Sequence, residues 1–171
     1  MGQDKSAIQL DGQRADAVLA ARLRAAGCAV TVLGRTPVAG FAFLRDASDL
    51  QGPAEALSRF SPVSRLVFAL ACDVVRFDPA VVALMASVRA DSDAVVPVAE
   101  GFLQPLCALY TSECLTTLRE MTDRGERRLH RWLDALNVRE LHAEELAAAG
   151  LDPRSVRGAN TPDELRALLA P

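Results

Sequence analysis

Ser64-Arg65-Leu66-Val67-Phe68-Ala69-Leu70-Ala71-Cys72-Asp73 is the stretch on which the reading of this chain turns. Its seven consecutive apolar residues, Leu66 to Cys72, lie between the Ser-Pro-Val-Ser of residues 61–64 and an acid. With no polar face to interrupt it, such a run predicts a strand covered on both faces, central in a parallel sheet, rather than a surface helix. The carboxyl end of such a strand borders the crevice where open α/β sheets collect their ligands, which makes Asp73 a candidate site residue. An aspartate there equally suits the capping of the next turn.

Toward the N-terminus, Ala7 to Leu10 is a brief alternating segment closed by Asp11-Gly12. Ala15 to Ala26 carries Val18, Leu19 and Leu23 at core spacing and stops at Gly27, which predicts a helix with a glycine cap. Cys28 to Leu33 and Phe41 to Leu44 predict strands, the second ending in Arg45-Asp46, and a short helix runs from Gly52-Pro53 toward Phe60. Beyond the central run, Asp78-Pro79 opens a helix through Val88. Ala94 to Val98 is a strand whose Pro97 points to an edge or an end, and Leu103 to Tyr110 is a strand that can pair with it across Glu100-Gly101. Ser112 to Met121 and Glu126 to Leu136 predict helices, the second with Leu129, Trp132, Leu133 and Leu136 on one stripe. Val138 to Leu141 is a short strand, Ala143 to Ala149 a short helix, and Thr161-Pro162-Asp163-Glu164 begins a last helix to Leu169. Strands alternate with helices, so the class is α/β with a mostly parallel sheet, in a single domain over residues 1–171.

Composition narrows the functions. Half the residues are apolar and the net charge is -3, which gives no general attraction to nucleic acid or to an anionic membrane. No apolar run approaches the roughly 18 residues that span a bilayer, and the N-terminus is charged where a signal peptide is apolar, so a cytoplasmic protein is expected. Cys28, Cys72, Cys107 and Cys114 show no CxxC spacing and read as buried thiols rather than metal ligands or disulfide partners. Of 19 basic residues only Lys5 is lysine. A site that needs a compact ammonium on a flexible stem would account for that choice, and so would a solvated terminal charge. His130 and His142 are too isolated to build a metal site, and Trp132 belongs to a core.

Six segments carry a resemblance by their order and spacing: Met1-Gly2-Gln3-Asp4-Lys5; Arg45-Asp46 followed by Gly52-Pro53; the strand ending Cys72-Asp73; Gln104-Pro105-Leu106-Cys107-Ala108-Leu109-Tyr110; Gly125-Glu126-Arg127-Arg128; and Asn160-Thr161-Pro162-Asp163-Glu164-Leu165. In these the chain resembles the MobA-type molybdenum cofactor guanylyltransferases among the nucleotidyltransferases. The resemblance implies a Rossmann-like, nucleotide-diphospho-sugar transferase-like sheet with helices on both faces. It implies transfer of GMP from Mg-GTP to the terminal phosphate of molybdopterin, giving molybdopterin guanine dinucleotide and pyrophosphate. One phosphate anion attacks another in such a reaction, so a metal ion and a cation must neutralise charge as the transition state forms. Asp73 matches the family's strand-end aspartate and would hold Mg²⁺; Lys5 matches the motif lysine and would sit against the phosphates; Asp46 matches an aspartate on the nucleotide side. Arg127, Arg128 and Arg131 either offer cations to the pterin phosphate or form a solvated basic face. Asn160 either hydrogen-bonds ligand or anchors its own loop. The implied partners are GTP, molybdopterin, cofactor-assembly proteins and acceptor apoenzymes.

The sequence also departs from that family. Its members begin with a strand and Leu-Ala-Gly-Gly-x-Ser-x-Arg ahead of Met-Gly-x-Asp-Lys, whereas here the methionine is residue 1. The expectation is a domain truncated at its N-terminus, lacking the first strand and the glycine-rich turn, with roughly 15 to 20 further residues encoded upstream. The absent strand would lie mid-sheet, and each buried backbone group left unmet costs about 1 to 3 kcal/mol against a total stability of about 5 to 15 kcal/mol. Gly34-Arg35 stands where the family has asparagine-arginine, Gly52-Pro53 continues Ala54-Glu55-Ala56, and Asp73 is followed by Val74-Val75. Two other readings therefore stand beside GMP transfer: a CTP-using cytidylyltransferase, and a non-catalytic relative that binds within molybdenum cofactor assembly.

Overall fold

The computed structural model describes residues 8–10, 12–46, 52–159 and 161–169. Strands β1 (Gln9–Leu10) and β2 (Gln13–Arg14) form a small antiparallel ladder ahead of helix α1 (Ala15–Ala25). The helix ends where Gly27, at φ +86°, lets its own N–H and that of Cys28 turn back onto the carbonyls of Arg24 and Leu23. Glycine adopts that left-handed conformation without a Cβ clash. Next come β3 (Thr31–Gly34) and β4 (Ala42–Arg45), paired in parallel, then α2 (Gly52–Ser58) and β5 (Leu66–Leu70). The chain continues through α3 (Ala80–Val88), β6 (Ala94–Ala99), β7 (Phe102–Leu103), β8 (Cys107–Thr111), α4 (Ser112–Asp123), α5 (Leu129–Leu133), β9 (Val138–Leu141), α6 (Ala143–Ala148) and α7 (Pro162–Leu169).

The main sheet runs β5-β8-β6, with β7 extending the hairpin from the far end of β6 and β9 on the other side of β6. Pairing is parallel between β6 and β9 and antiparallel at β5–β8, β6–β8 and β6–β7, so the α/β sheet is mixed. Alternation along the strands supplies two apolar faces. Val67, Ala69, Ala94, Val96, Ala108 and Tyr110 meet α2, α4 and α5, where Trp132 is fully buried and stacks on Tyr110 at 4.5 Å between ring centroids. On the opposite face Val95, Cys107, Leu109 and Leu141 meet α1, α3 and α6 through Leu19, Met85 and Leu146. A smaller cluster ties Leu10 and Ala15 to Val75, Ala159 and Leu168.

Several elements differ from the sequence expectation: β3 begins at Thr31 rather than Cys28, and Pro97 lies inside β6, which has β8 and β9 on its two sides. The neighbour of β5 among the described residues is the antiparallel β8, so the apolar run is not flanked by parallel strands on both sides. The expected strand from Leu103 to Tyr110 is split into β7 and β8 by Gln104-Pro105, where the N–H of Gln104 reaches the Pro97 carbonyl at 2.9 Å and the Pro105 carbonyl takes the Tyr110 hydroxyl at 2.7 Å. Helix α5 starts at Leu129, three residues after the expected Glu126, because the Glu126 carboxylate accepts the Arg128 N–H at 2.9 Å in extended backbone.

Candidate functional site

The ends of β3, β4 and β5 open on one cleft of about 1310 Å³. Past β5, the Ala71 N–H still reaches the Leu106 carbonyl at 2.7 Å, after which the chain turns through Cys72 and Asp73. That turn points the Asp73 side chain into the protein, where it is only 5% exposed. The segment before α7 closes over it. The Ala159 N–H donates to the Asp73 backbone carbonyl at 3.1 Å, and Gly158 lies so close that a Cβ there would stand 3.1 Å from Asp73 Oδ1. Past β4, the Asp46 N–H donates to the Gly34 carbonyl at 2.9 Å, carrying the β3–β4 ladder one residue further and leaving Asp46 half-buried at the same cleft.

A cation is built into the wall beside Asp73. Arg157 lines the cleft with its side chain 28% exposed, and its Nη1 lies 2.7 Å from Glu100 Oε1. Glu100 and Gly101 form the two-residue turn between β6 and β7 with φ of +53° and +80°. Positive φ at both central residues matches the right-handed twist of a hairpin, and it is uncommon for a residue other than glycine. Cys107 also lines the cleft. Burial, with the Asp73 charge added, pushes its thiol pKa far up, so it stays a neutral thiol.

The six residues expected from sequence are distributed unevenly. Asp46 and Asp73 share the cleft. Lys5 and Asn160 lie outside the described residues, although Thr161 caps α7 as expected, its Oγ1 accepting the Glu164 N–H at 3.1 Å. Arg127 and Arg128 do not line the cleft. Arg127 Nε is 3.6 Å from Glu55 Oε2 on α2, and Arg128 grips Glu126 through Nε at 2.8 Å and Nη2 at 2.5 Å. That grip holds the Glu126 carboxyl down at about 2. Arg131 faces Asp134 at 3.4 Å. Arg157 and Gly158 are the residues sequence reading missed. The available signal was the Gly158-Ala159 pair just ahead of Asn160-Thr161-Pro162, where a missing Cβ marks close approach.

Among the described residues no three His, Cys, Asp or Glu side chains gather into a metal cage. What the cleft offers is the Asp73 carboxylate, backed by glycine, with Asp46 also on its lining. That donor set fits Mg²⁺, which binds through one or two carboxylates and takes its other ligands from water and substrate phosphates.

Residues 1–141 match the family of MobA-like NTP transferase domains. A probable molybdenum cofactor guanylyltransferase of Bacillus licheniformis is 34% identical over 73 residues, which cover 43% of this chain and 36% of that protein. One of Chloroflexus aggregans is 34% identical over 104 residues, 59% of this chain and 50% of that protein. The chain thus spans about half or less of the curated relatives it matches. In structure it resembles molybdopterin-guanine dinucleotide biosynthesis protein A of Archaeoglobus fulgidus, with a TM-score of 0.77 at 19% identity over 98% of this chain and 89% of that one. A 4-diphosphocytidyl-2C-methyl-D-erythritol synthase of Anaerococcus prevotii gives 0.63 at 8% identity over 94% and 90%. Both likenesses are at the level of the fold.

Proposed function

The chain belongs to the MobA-like NTP transferase family, and on that premise we propose that it transfers GMP from Mg-GTP to the phosphate of molybdopterin. In this reaction an oxygen of the pterin phosphate attacks the α-phosphorus of GTP. The bond from that phosphorus to the oxygen bridging to the β-phosphate breaks, and pyrophosphate leaves with the electron pair. The observation that carries the reading is that Asp46, just past β4, and Asp73, just past β5, line one cleft, with a cation, Arg157, in its wall. Strand ends of an α/β sheet are where nucleotides bind, and phosphoryl chemistry needs charges held in place before reaction.

Within that reading Asp73 would hold Mg²⁺ by a carboxylate oxygen, and the ion, when bound, supplies positive charge to the phosphate oxygens. Burial and the backing of Gly158 fix the carboxylate in one place, which spares the reorganisation a solvated acid would undergo. Arg157 would face the triphosphate, with Glu100 keeping its guanidinium from folding back when the cleft is empty. Lys5, by its match to the family motif, is assigned to the same phosphates, and Asn160 to the ligand side of the α7 start. Among the described residues no helix is long and apolar enough to cross a membrane.

The test is pyrophosphate release by the natural polypeptide with Mg²⁺, molybdopterin and either GTP or CTP. Release with GTP in preference to CTP supports the reading. Preference for CTP replaces it with cytidylyl transfer, a possibility raised by Gly34-Arg35 in the place of asparagine-arginine. Binding of either substrate without release makes the protein a non-catalytic partner in cofactor assembly and ends the enzymatic proposal.

A further inference from the structure

We infer that Phe102, on the β6–β7 hairpin, is the stacking platform for the ring system of the acceptor, a planar heteroaromatic compound that carries a phosphate. The register of the hairpin pairs Val98 with Leu103 and Ala99 with Phe102. Paired residues project from one face of a hairpin, and successive residues from opposite faces. Leu103 packs against the core cluster that contains Val96 and Tyr110, so Phe102 is turned away from that core. Its cross-strand partner Ala99 is a single methyl, too small to cover a phenyl ring. Phe102 stays 70% exposed on the lining of the cleft.

A lone apolar side chain in water is ordinary on a protein surface. This one is fixed in place and stands beside a charge. The Gln104 side chain donates from Nε2 to the Phe102 carbonyl at 3.0 Å, and the Gln104 N–H donates to the Pro97 carbonyl at 2.9 Å, which ties β7 down at its far end. At its near end Glu100, two residues before Phe102, lies 2.7 Å from Nη1 of Arg157. Phe102 and Arg157 both line the cleft. An aromatic face takes a flat ring whatever its edge pattern, and a guanidinium takes a phosphate. The hairpin therefore presents, close together, the two groups that a ring bearing a phosphate requires.

Which of the two substrates supplies that ring follows from the topology, and this step rests on the transfer reading. Asp46 and Gly34-Arg35 lie at the ends of β3 and β4, a ladder separate from the sheet that carries the hairpin. In the transfer reading Asp46 is on the nucleotide side, which leaves the hairpin to the second ring. From Phe102 the succession Glu100, Arg157, Gly158 leads to the Asp73 carboxylate, each in contact with or next in sequence to the one before beyond Gly101. An acceptor with its ring on Phe102 thus directs its phosphate toward the strand-end acid, where the α-phosphorus of the nucleotide has to be met.

The experiment measures equilibrium binding of molybdopterin and of GTP, each alone, to the natural polypeptide and its Phe102→Ala and Phe102→Tyr variants. Pyrophosphate release is not the readout, so a protein that binds both substrates without transferring would end the transfer reading and leave this inference standing. Phe102→Ala is expected to raise Kd for molybdopterin by about tenfold, the weight of one ring stacked on an aromatic side chain, with Kd for GTP within about twofold. Phe102→Tyr keeps the ring and should hold both constants within about twofold. The side chain is mostly in solvent, so thermal midpoints should coincide, and they are measured alongside. An unchanged Kd for molybdopterin in Phe102→Ala overturns the inference, as does a parent that does not bind molybdopterin. A loss of GTP affinity equal to or greater than that of molybdopterin also overturns it, because the ring on Phe102 would then be the base of the nucleotide.

Discussion

Gly158→Ala tests whether the segment before α7 positions the Asp73 carboxylate. The added Cβ would stand 3.1 Å from Oδ1, 3.4 Å from Cγ and 3.7 Å from Oδ2 of Asp73, so the side chain has to withdraw by a few tenths of an ångström. The carboxylate is 5% exposed and has no open solvent to swing into. The backbone does not resist, because Gly158 is absent from the glycines with positive φ, so the strain falls on Asp73. One methyl pressed against a buried side chain costs about 1 kcal/mol, the low end of overpacking. A 1 Å error in a reacting group costs about a hundredfold in rate, so a few tenths should lower kcat by about three- to tenfold. Asp73→Asn keeps the shape and removes the charge, and is expected to lower kcat by about a hundred- to a thousandfold. In the double variant the alanine should add little, because the group it displaces no longer carries the charge; the coupling is about 1 kcal/mol. Initial rates of pyrophosphate release from Mg-GTP at saturating molybdopterin, with thermal midpoints measured alongside, give all four corners of the cycle. A full three- to tenfold loss in the Asp73→Asn background, or losses that merely follow the thermal midpoint, would refute the argument.

The remaining predictions concern charges around the cleft and one remote from it. Arg157→Met should raise KM for GTP by about tenfold, the weight of one charge-assisted hydrogen bond, with kcat within about threefold; an unchanged KM removes Arg157 from the phosphate site. Arg128→Met should leave both constants within about twofold, since its guanidinium is committed to Glu126 outside the cleft, and a loss above about tenfold would bring it back as a pterin-phosphate ligand. Glu145 is held down to about 2 by Arg139, whose Nη1 lies 2.9 Å from its Oε2, and by the His142 N–H. A carboxyl whose folded pKa is depressed contributes stability above its unfolded value and loses it as pH falls from about 4.5 to about 2. With both side chains about one-third exposed, solvent screening leaves about 1 kcal/mol. Denaturant midpoints of Glu145→Gln and the parent should therefore converge toward pH 2, and parallel curves from pH 7 to pH 2 would count against the pair.

Elements that carry their own stop signals were legible. The ends of α1 at Gly27, of β9 at Leu141 and the start of α7 at Pro162 follow from capping and period, each local to a few residues. Pairing was not. The run from Leu66 to Leu70 reports burial, and Val67 and Ala69 are indeed buried, but direction is set by which edge a distant strand reaches. The hairpin turn at Glu100-Gly101 brings β8 back antiparallel beside β6, and β5 takes the remaining edge of β8. An apolar run contains nothing that distinguishes a parallel neighbour from an antiparallel one when both faces are covered.

The site shows the same division between what a residue is and what faces it. That Asp46 and Asp73 would line a cleft was legible because open α/β sheets form their crevices at strand ends, a property of position along one element. The place of the Arg127-Arg128 pair, left open between a pterin-phosphate site and a solvated face, was not legible because it depends on backbone shape. If a helix began at Glu126, residues 126 and 128 would lie about 200° apart around it and the guanidinium would be free. In the extended segment that precedes α5, residues two apart share a side, so Glu126 and Arg128 meet and neutralise each other. Arg157 is the converse case: an arginine with no acid beside it in sequence, held by a glutamate from a hairpin turn that only the folded sheet brings to it. Where each arginine sits is therefore decided by its carboxylate partner: Glu100 holds Arg157 on the cleft lining, whereas Glu126 holds Arg128 away from it.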